Sequence, residues 1–369
     1  QIKDTLARFF PDLDSEKIQV TSIQWLSRHY REIKEKPSLI VIDEVHHALA
    51  ETYAEVMNAY PKAKKLGLTA TPYRLNGKGF TDLFDTLLCS WSMEKFISEG
   101  RLSLYDYYSI KPDSAAQLLI DSLQKRGADG DYQQKELNEV MDVKPSLERL
   151  CLTIKEYVPG KKGIVYAISI QHAEHIAEYY RENGIKAVAI SSKTPLAERQ
   201  ELIDRFKSSS LFSSLNSTSG DIEVLVSVDL FSEGFDCPDV EFIQLARPTL
   251  SLAKYIQMVG RGLRVAEGKE FCVILDNVGL YKRFGLPSVD RDWQSMFEGR
   301  TSLEDILQEA CLHVNSHNCR MDLMMDGDEE MMKIINHKRQ QQMIMDTYGY
   351  QIVEDEKGLK GIKDKDGKM

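Results

Sequence analysis

The sequence predicts an α/β protein: two doubly wound parallel-sheet lobes followed by a smaller, mainly helical C-terminal region. Three observations carry that prediction. Short apolar runs alternate with helical patterns over residues 1–110, the alternation lapses over 111–145, and a second series starts at Lys161. The run Leu39–Ile42 (LIVI) has no polar break, the signature of a strand covered on both faces of a parallel sheet. At about 150 residues per domain, 369 residues allow two to three such units. The expected domains are 1–110 (first lobe), 111–287 (second lobe) and 288–369 (a helical extension with a flexible tail).

Taken in order, Ile18–Ser22 reads as a strand, Glu51–Tyr60 as a short helix and Leu66–Thr69 as another buried strand. Residues 111–145, with a Gly-rich turn at Lys125–Asp131, read as a helical connection. In the second series Gly163–Ile168 is a strand and Gln171–Asn183 a helix, closed by Gly184 as its C′ residue. Ala187–Ile190 is a strand and Leu196–Lys207 a charged helix. Val224–Val228, Phe242–Leu245 and Phe271–Leu275 are further strands. Ser208–Gly220 is Ser-rich and reads as a solvated loop. Asp328–Thr347 reads as one amphipathic helix, its methionines suited to a soft core or a partner groove. Glu354–Met369 reads as a frayed tail.

Composition excludes several classes. With 42% hydrophobic and 28% charged residues the chain is not wholly disordered. No apolar run approaches the roughly 18 residues that span a bilayer, so no membrane association is expected. Six scattered cysteines do not form a disulfide framework, and a reducing, cytoplasmic setting is expected. A net charge of −10 argues against non-specific coating of nucleic acid, though a local basic cleft would survive it. Residue 1 is Gln and no signal-like stretch follows, so the chain is expected to start inside a longer protein or to have been trimmed.

The sharpest chemical signal is Asp43-Glu44-Val45-His46, directly after the LIVI strand. The carboxyl ends of parallel strands are where open α/β sheets bind ligands. Nucleotide hydrolysis wants two carboxylates there, one to hold Mg²⁺ through water and one to polarise the attacking water. Alone, an Asp-Glu pair would more often cap the next helix; its position after LIVI and before His-His reverses that balance toward the chemical role. Leu68-Thr69-Ala70-Thr71-Pro72 offers small hydroxyls at the next strand end. In the second lobe come Val224–Pro238 (VLVSVDLFSEGFDCP), Arg247-Pro248-Thr249 and Gln257–Arg264 (QMVGRGLR). Arg261 and Arg264 are three apart, so on a helix they share one face and can bind phosphate oxygens together. Gly260 and Gly262 would let a backbone or phosphate approach closely.

The order TSIQ (Thr21–Gln24), DEVH, TATP, SEGFDCP, RPT and QMVGRGLR resembles the superfamily 2 helicases and translocases over residues 17–287. Gly67–Asp85 and Ile274–Pro287 resemble in particular the DEAD/DEAH-box group related to type III restriction helicase subunits and excision-repair helicases. The resemblance implies two RecA-like lobes with ATP and Mg²⁺ between them, and nucleic acid, DNA before RNA, as partner. Asp43 would hold Mg²⁺ through water and Glu44 would activate the attacking water. Arg261 and Arg264 would be arginine fingers. His46, Gly234, Asp236 and Gln257 would contact the nucleotide, and Thr69 and Thr71 would couple hydrolysis to lobe movement. Thr21, Ser22 and Ser227 would touch the nucleic-acid backbone.

One departure stands against these matches. No GxxxxGK[ST] phosphate loop precedes Asp43, and none of the Gly-Lys pairs at 77, 160, 268 and 367 is followed by Ser or Thr. Hydrolysis by this chain alone is therefore expected to be absent or very weak, whereas an intact parent would be an ATP-dependent enzyme. The alternative is a non-hydrolysing relative that grips nucleic acid or a protein partner. Cys311, His313, His317 and Cys319 have Zn²⁺-ligand types, but one continuous helix would not gather them, and a helix surface is expected. Residues 288–369 are the candidate element for binding a protein partner.

Overall fold

The computed structural model describes residues 17–47, 50–208, 222–228, 237–302, 305–306, 331–348, 351–354 and 360–363. Helix α1 (Ile23–His29) is capped by Ser22, whose side chain accepts from Trp25 N at 3.2 Å. Residues 18–22, expected as a strand, carry no regular structure. Strand β1 (Leu39–Ile42) leads through helix α2 (Ala50–Ala59) to β2 (Lys64–Gly67), which pairs with it in parallel from Leu39 opposite Lys64. One face of this pair closes over Val56, Tyr60 and Ala63, with Tyr30 and Ile40 packed beside them. The other face is bare, with Leu39, Val41, Leu66 and Leu68 exposed by 52%, 51%, 44% and 46%. The expected two-sided burial of LIVI is thus wrong here. Among the described residues β1 and β2 pair only with each other, and no helix layer covers their second face.

After α3 (Met93–Ser98), strand β3 (Leu104–Ile110) enters a different sheet. Helices α4 (Ala115–Asp121) and α5 (Gln134–Met141) form the expected helical connection, and α6 (Lys144–Tyr157) leads into β4 (Gly163–Tyr166). There follow α7 (Ile170–Glu182), β5 (Ala187–Ile190), α8 (Leu196–Ser208), β6 (Val224–Ser227) and β7 (Phe242–Leu245). Helix α9 (Leu252–Gly262), β8 (Phe271–Asp276), α10 (Leu280–Phe284) and α11 (Trp293–Phe297) complete this part. The C-terminal region adds β9 (Met331–Ile335), α12 (His337–Tyr348) and an antiparallel pair, β10 (Gln351–Glu354) with β11 (Lys360–Lys363). Residues 328–347 therefore hold a strand and a helix, not the single helix expected, and the tail contributes strands.

The seven-stranded sheet runs β5-β6-β4-β7-β8-β3-β9, parallel except where β9 joins β3 antiparallel. β3 lies before the expected boundary at residue 110, yet this sheet begins with it. Strand periodicity divides the side chains cleanly. Val165, Ala167, Val224 and Val226 pack with Leu150 and Ile154 of α6 and Ala173 and Ile176 of α7. Ile164, Tyr166, Leu225 and Ile243 pack on the opposite side with Tyr255, Ile256 and Val259 of α9. Both layers are dry, which is why β4, β6 and β7 read as unbroken apolar runs. Gly184, with φ +84°, ends the α7 turn as its sequence position requires.

The two sheets meet through the loop after β2. Phe80 N donates to Phe297 O at 2.7 Å, and the Phe80 and Phe297 rings lie 6.3 Å apart, centre to centre. Arg74 lies over Phe80 at 4.1 Å and donates to Gly79 O at 2.9 Å. Among the described residues, no helix is long and apolar enough to cross a membrane.

Candidate functional site

The first half of the site grows out of the β1–β2 pairing. Beyond the strands, Leu68 N donates to Ile42 O at 2.8 Å and Val45 N donates to Leu68 O at 3.0 Å. These two bonds bring the segments after both strands side by side. Asp43 therefore sits exposed at the carboxyl end of β1, its Oδ1 accepting from Glu44 N at 3.0 Å. Glu44 is the one non-glycine with positive φ (+47°) among the described residues. Such a conformation costs about 1–3 kcal/mol, and residues held in it cluster at functional sites.

His46 connects this turn to TATP. Its Nδ1 lies 2.8 Å from Thr69 Oγ1 and 3.3 Å from Glu44 Oε2. The Thr69 hydroxyl donates to Thr71 O at 3.0 Å and accepts from Thr71 N at 3.1 Å. With its own hydrogen spent on Thr71 O, Thr69 Oγ1 must accept from His46, which fixes the proton on Nδ1. The Nε2 lone pair then points to Gln257 Nε2, 3.5 Å away on α9. Asp43, Glu44, His46, Thr69, Thr71 and Gln257 thus meet across the two sheets. Thr71 is fully buried and its Oγ1 has no partner.

The second half is carried by α9. Tyr255, Ile256 and Val259 fix the helix on the sheet, which leaves Gln257 free of the core. Arg261 lies in the last turn, but the helix ends at Gly262 and Arg264 lies beyond the C-cap Leu263. The two arginines are therefore not one helical face as expected. Both still act electrostatically on the buried Tyr166 hydroxyl. Burial pushes that phenol above its usual range, and Arg261 and Arg264 pull it back in part. Gly262 is required by packing, because a Cβ there would lie 2.5 Å from Cys272 Sγ and 2.6 Å from Ile243 Cγ1. Gly260 faces open space.

Two residues that sequence reasoning missed hold α9 at its ends. At the start, Asp131 accepts from Thr249 Oγ1 and Leu250 N, each at 2.7 Å, and from Lys254 Nζ at 3.0 Å. Burial alone would raise the Asp131 pKa, but Lys254, Leu250 N–H and Thr249 outweigh it and hold it below the usual carboxylate value. At the end, Lys269 Nζ donates to Gly262 O at 2.6 Å and Arg264 O at 2.8 Å, covering carbonyls that the helix leaves open. The only sequence signal for Asp131 was the turn Asp129-Gly130-Asp131.

The expected nucleic-acid residues lie apart. Thr21 and Ser22 are exposed, but the Ser22 hydroxyl is engaged as the cap of α1. Ser227 is fully buried opposite Tyr166 in register, its Oγ without a partner. Gly234 and Asp236 lie outside the described residues, as do Cys311, His313, His317 and Cys319. Among the described residues no three metal-ligating side chains gather. An exposed single carboxylate such as Asp43 still suits Mg²⁺, which keeps most of its waters and is bound by one or two carboxylates with substrate phosphates.

Two family models match the chain: the helicase conserved C-terminal domain over residues 145–266, and the type III restriction enzyme res subunit over residues 2–74. A 51.5 kDa protein of a Lactococcus phage is 36% identical over 264 residues, 72% of this chain and 54% of that protein. A DNA 3′-5′ translocase, XPB2, of Sulfurisphaera tokodaii is 26% identical over 281 residues, 66% of this chain and 60% of that protein. Among solved structures, the fragment of a candidate HsdR subunit of a type I restriction enzyme from Vibrio vulnificus matches with a TM-score of 0.51. It is 21% identical, over 75% of this chain and 49% of that one. The chain spans about half the length of the curated relatives it matches, 54%, 41% and 46% of the first three.

Proposed function

From a chain that belongs to the superfamily 2 helicases, of the type III restriction-subunit kind, we propose the motor part of an ATP-dependent DNA helicase or translocase. The observation that carries this reading is the His46 ring. It joins Glu44 and Thr69 after one sheet to Gln257 on the arginine helix of the other. When bound, Mg²⁺-ATP supplies the reactive phosphate and its leaving group. Asp43 would hold the hydrated metal, and Glu44 would take the proton of the attacking water. Arg261 and Arg264 would meet the negative charge from the facing lobe. Thr69 and Thr71 share the His46 network, so a change at Glu44 reaches the backbone after β2 through two hydrogen bonds. Lobe closure on a strand and reopening would move the nucleic acid.

The 369 residues contain no GxxxxGK[ST] loop, so this chain alone would turn over ATP very weakly or not at all. That observation also favours a second reading, a non-hydrolysing relative that only grips nucleic acid. Nucleic-acid-stimulated ATPase activity of the chain beside a version extended upstream separates the two. Activity in the extended protein alone supports the motor, and Arg261→Ala should then lower turnover by about 10³-fold or more. Silence in both with nucleic-acid binding retained supports the second reading. Stimulation by RNA but not by DNA would overturn the choice of DNA.

A further inference from the structure

The three tryptophans of the chain are not alike. Trp293 packs against the large core, and Trp91 leans on Phe96 with the Lys95 ammonium 5.9 Å from its ring centre. Trp25 joins no hydrophobic cluster among the described residues and is 43% exposed. Helix periodicity explains its position. Ile23, Leu26 and Tyr30 turn α1 toward Val56, Tyr60 and Ala63, and the Tyr60 hydroxyl donates to Tyr30 O at 2.6 Å. Trp25 and Arg28, three apart, fall on the opposite face, where both are exposed.

The indole is held in place from one side. The His29 ring stacks on it, with centres 4.5 Å apart and planes 12° from parallel. Trp25 O can only accept, so His29 Nδ1, 2.8 Å away, donates to it, and that bond fixes the imidazole against the indole. With one face taken by His29, the exposure of Trp25 belongs to the other face and the rim. An aromatic ring already fixed in this way loses little entropy when a second flat group lies on it. The surroundings are cationic. Residues 23–36 carry Arg28, Arg31, Lys34 and Lys36, all exposed, against Glu32 and Glu35, in a chain whose net charge is −10.

A fixed, open aromatic face among cations suits single-stranded nucleic acid, whose bases stack while its phosphates meet the charge. A protein partner would also bury a tryptophan, but lysines are depleted at such interfaces. We propose that Trp25 is a stacking platform for one unpaired base of the bound strand. The base lies on the indole face away from His29, and Arg28 meets a neighbouring phosphate. The assignment rests on the nucleic-acid reading above.

The test compares two labelled oligomers of about ten nucleotides by fluorescence polarisation with the full chain: oligodeoxythymidylate, and an abasic oligomer of the same backbone and length. Trp25→Ala should weaken binding of the thymine oligomer about tenfold, within what one base–aromatic stack is worth, and leave the abasic oligomer unchanged. Trp25→Phe should restore most of the loss, since any aromatic ring offers a face. Arg28→Ala should weaken both oligomers by one factor, since phosphate contacts position without reading bases. Unchanged thymine affinity in Trp25→Ala would overturn the proposal and assign the indole to a protein contact. An equal loss on both oligomers would overturn it too, because the indole would then serve the backbone or the fold. Tryptophan emission gives a second reading. Its quench should be larger with the thymine oligomer than with the abasic one, and that difference should vanish in Trp25→Phe. A difference that persists there sinks the proposal even if Trp25→Ala fails to fold. If the wild-type chain binds neither oligomer, the nucleic-acid reading itself falls, a result distinct from binding that ignores Trp25.

Discussion

Glu44 is kept in a left-handed conformation that a glycine would adopt without cost. Glu44→Gly should therefore raise stability by about 1 kcal/mol, read as a higher melting temperature. In a protein carrying the phosphate loop the same change should nearly abolish ATP turnover, and Glu44→Gln should do so while keeping ATP binding. Wild-type turnover in either variant would remove Glu44 from the chemistry. His172 supplies a pH signature of folding. Burial lowers its pKa from the usual 6.5 to about 4, against a partial pull from Asp142, and its Nδ1 accepts from Ile168 N at 3.2 Å. Below 6.5 the unfolded chain takes a proton that the folded chain refuses until about 4. Stability from this group is thus complete above 6.5 and declines as pH falls toward 4, by about 3 kcal/mol in all. Urea titrations of wild type and His172→Gln across that range should show a shallower acid decline in the variant. Asp43 and Glu44 were legible because they adjoin an apolar run. Asp131 was not, because Thr249, which it binds, lies 118 residues away.

Helix α9 shows how an element of the candidate site is fixed by residues outside it. Asp131 holds its start and Lys269 its end, so the placement of Gln257 and Arg261 depends on two loops. Asp131→Ala should destabilise the chain by about 3 kcal/mol, because it leaves the Leu250 N–H and the Thr249 hydroxyl without their acceptor and takes one of two carboxylates from Lys254. Asp131→Asn should cost less, since an amide oxygen can still accept from Leu250 N. Denaturant midpoints would order the three proteins, and equal midpoints would show that the clamp is dispensable. The strands and helices of residues 163–276 were largely legible, since burial on both faces writes itself as apolar runs. The end of α9 was not, because the Gly262 that closes it is set by Cys272 and Ile243 from other strands. Strand β9 was misread because its methionines fit a helical pattern as readily as an edge strand, and only its pairing with β3 decides.

At the scale of the whole molecule the β1–β2 pair and the seven-stranded sheet are unequal. Seven strands with two dry faces stand beside two strands with one bare face. Two-stranded sheets are marginal on their own. Amide hydrogens of β1 and β2 should therefore exchange by local opening well before those of β4 and β7, which should wait for global unfolding. Uniform protection across both sheets would contradict this. The bare face has a further consequence for handling the chain. Among the described residues, Leu39, Val41, Leu66 and Leu68 present an apolar strip beside strand edges that pair with nothing further, the geometry by which separate molecules stack into precipitates. Lys64 and Lys65 on β2, and the net charge of −10, hold copies apart. Those repulsions fade as the Debye length shrinks from about 10 Å at 0.1 M salt to about 3 Å at 1 M. Light scattering from a concentrated solution should therefore rise with added salt, and Val41→Lys should keep it clear.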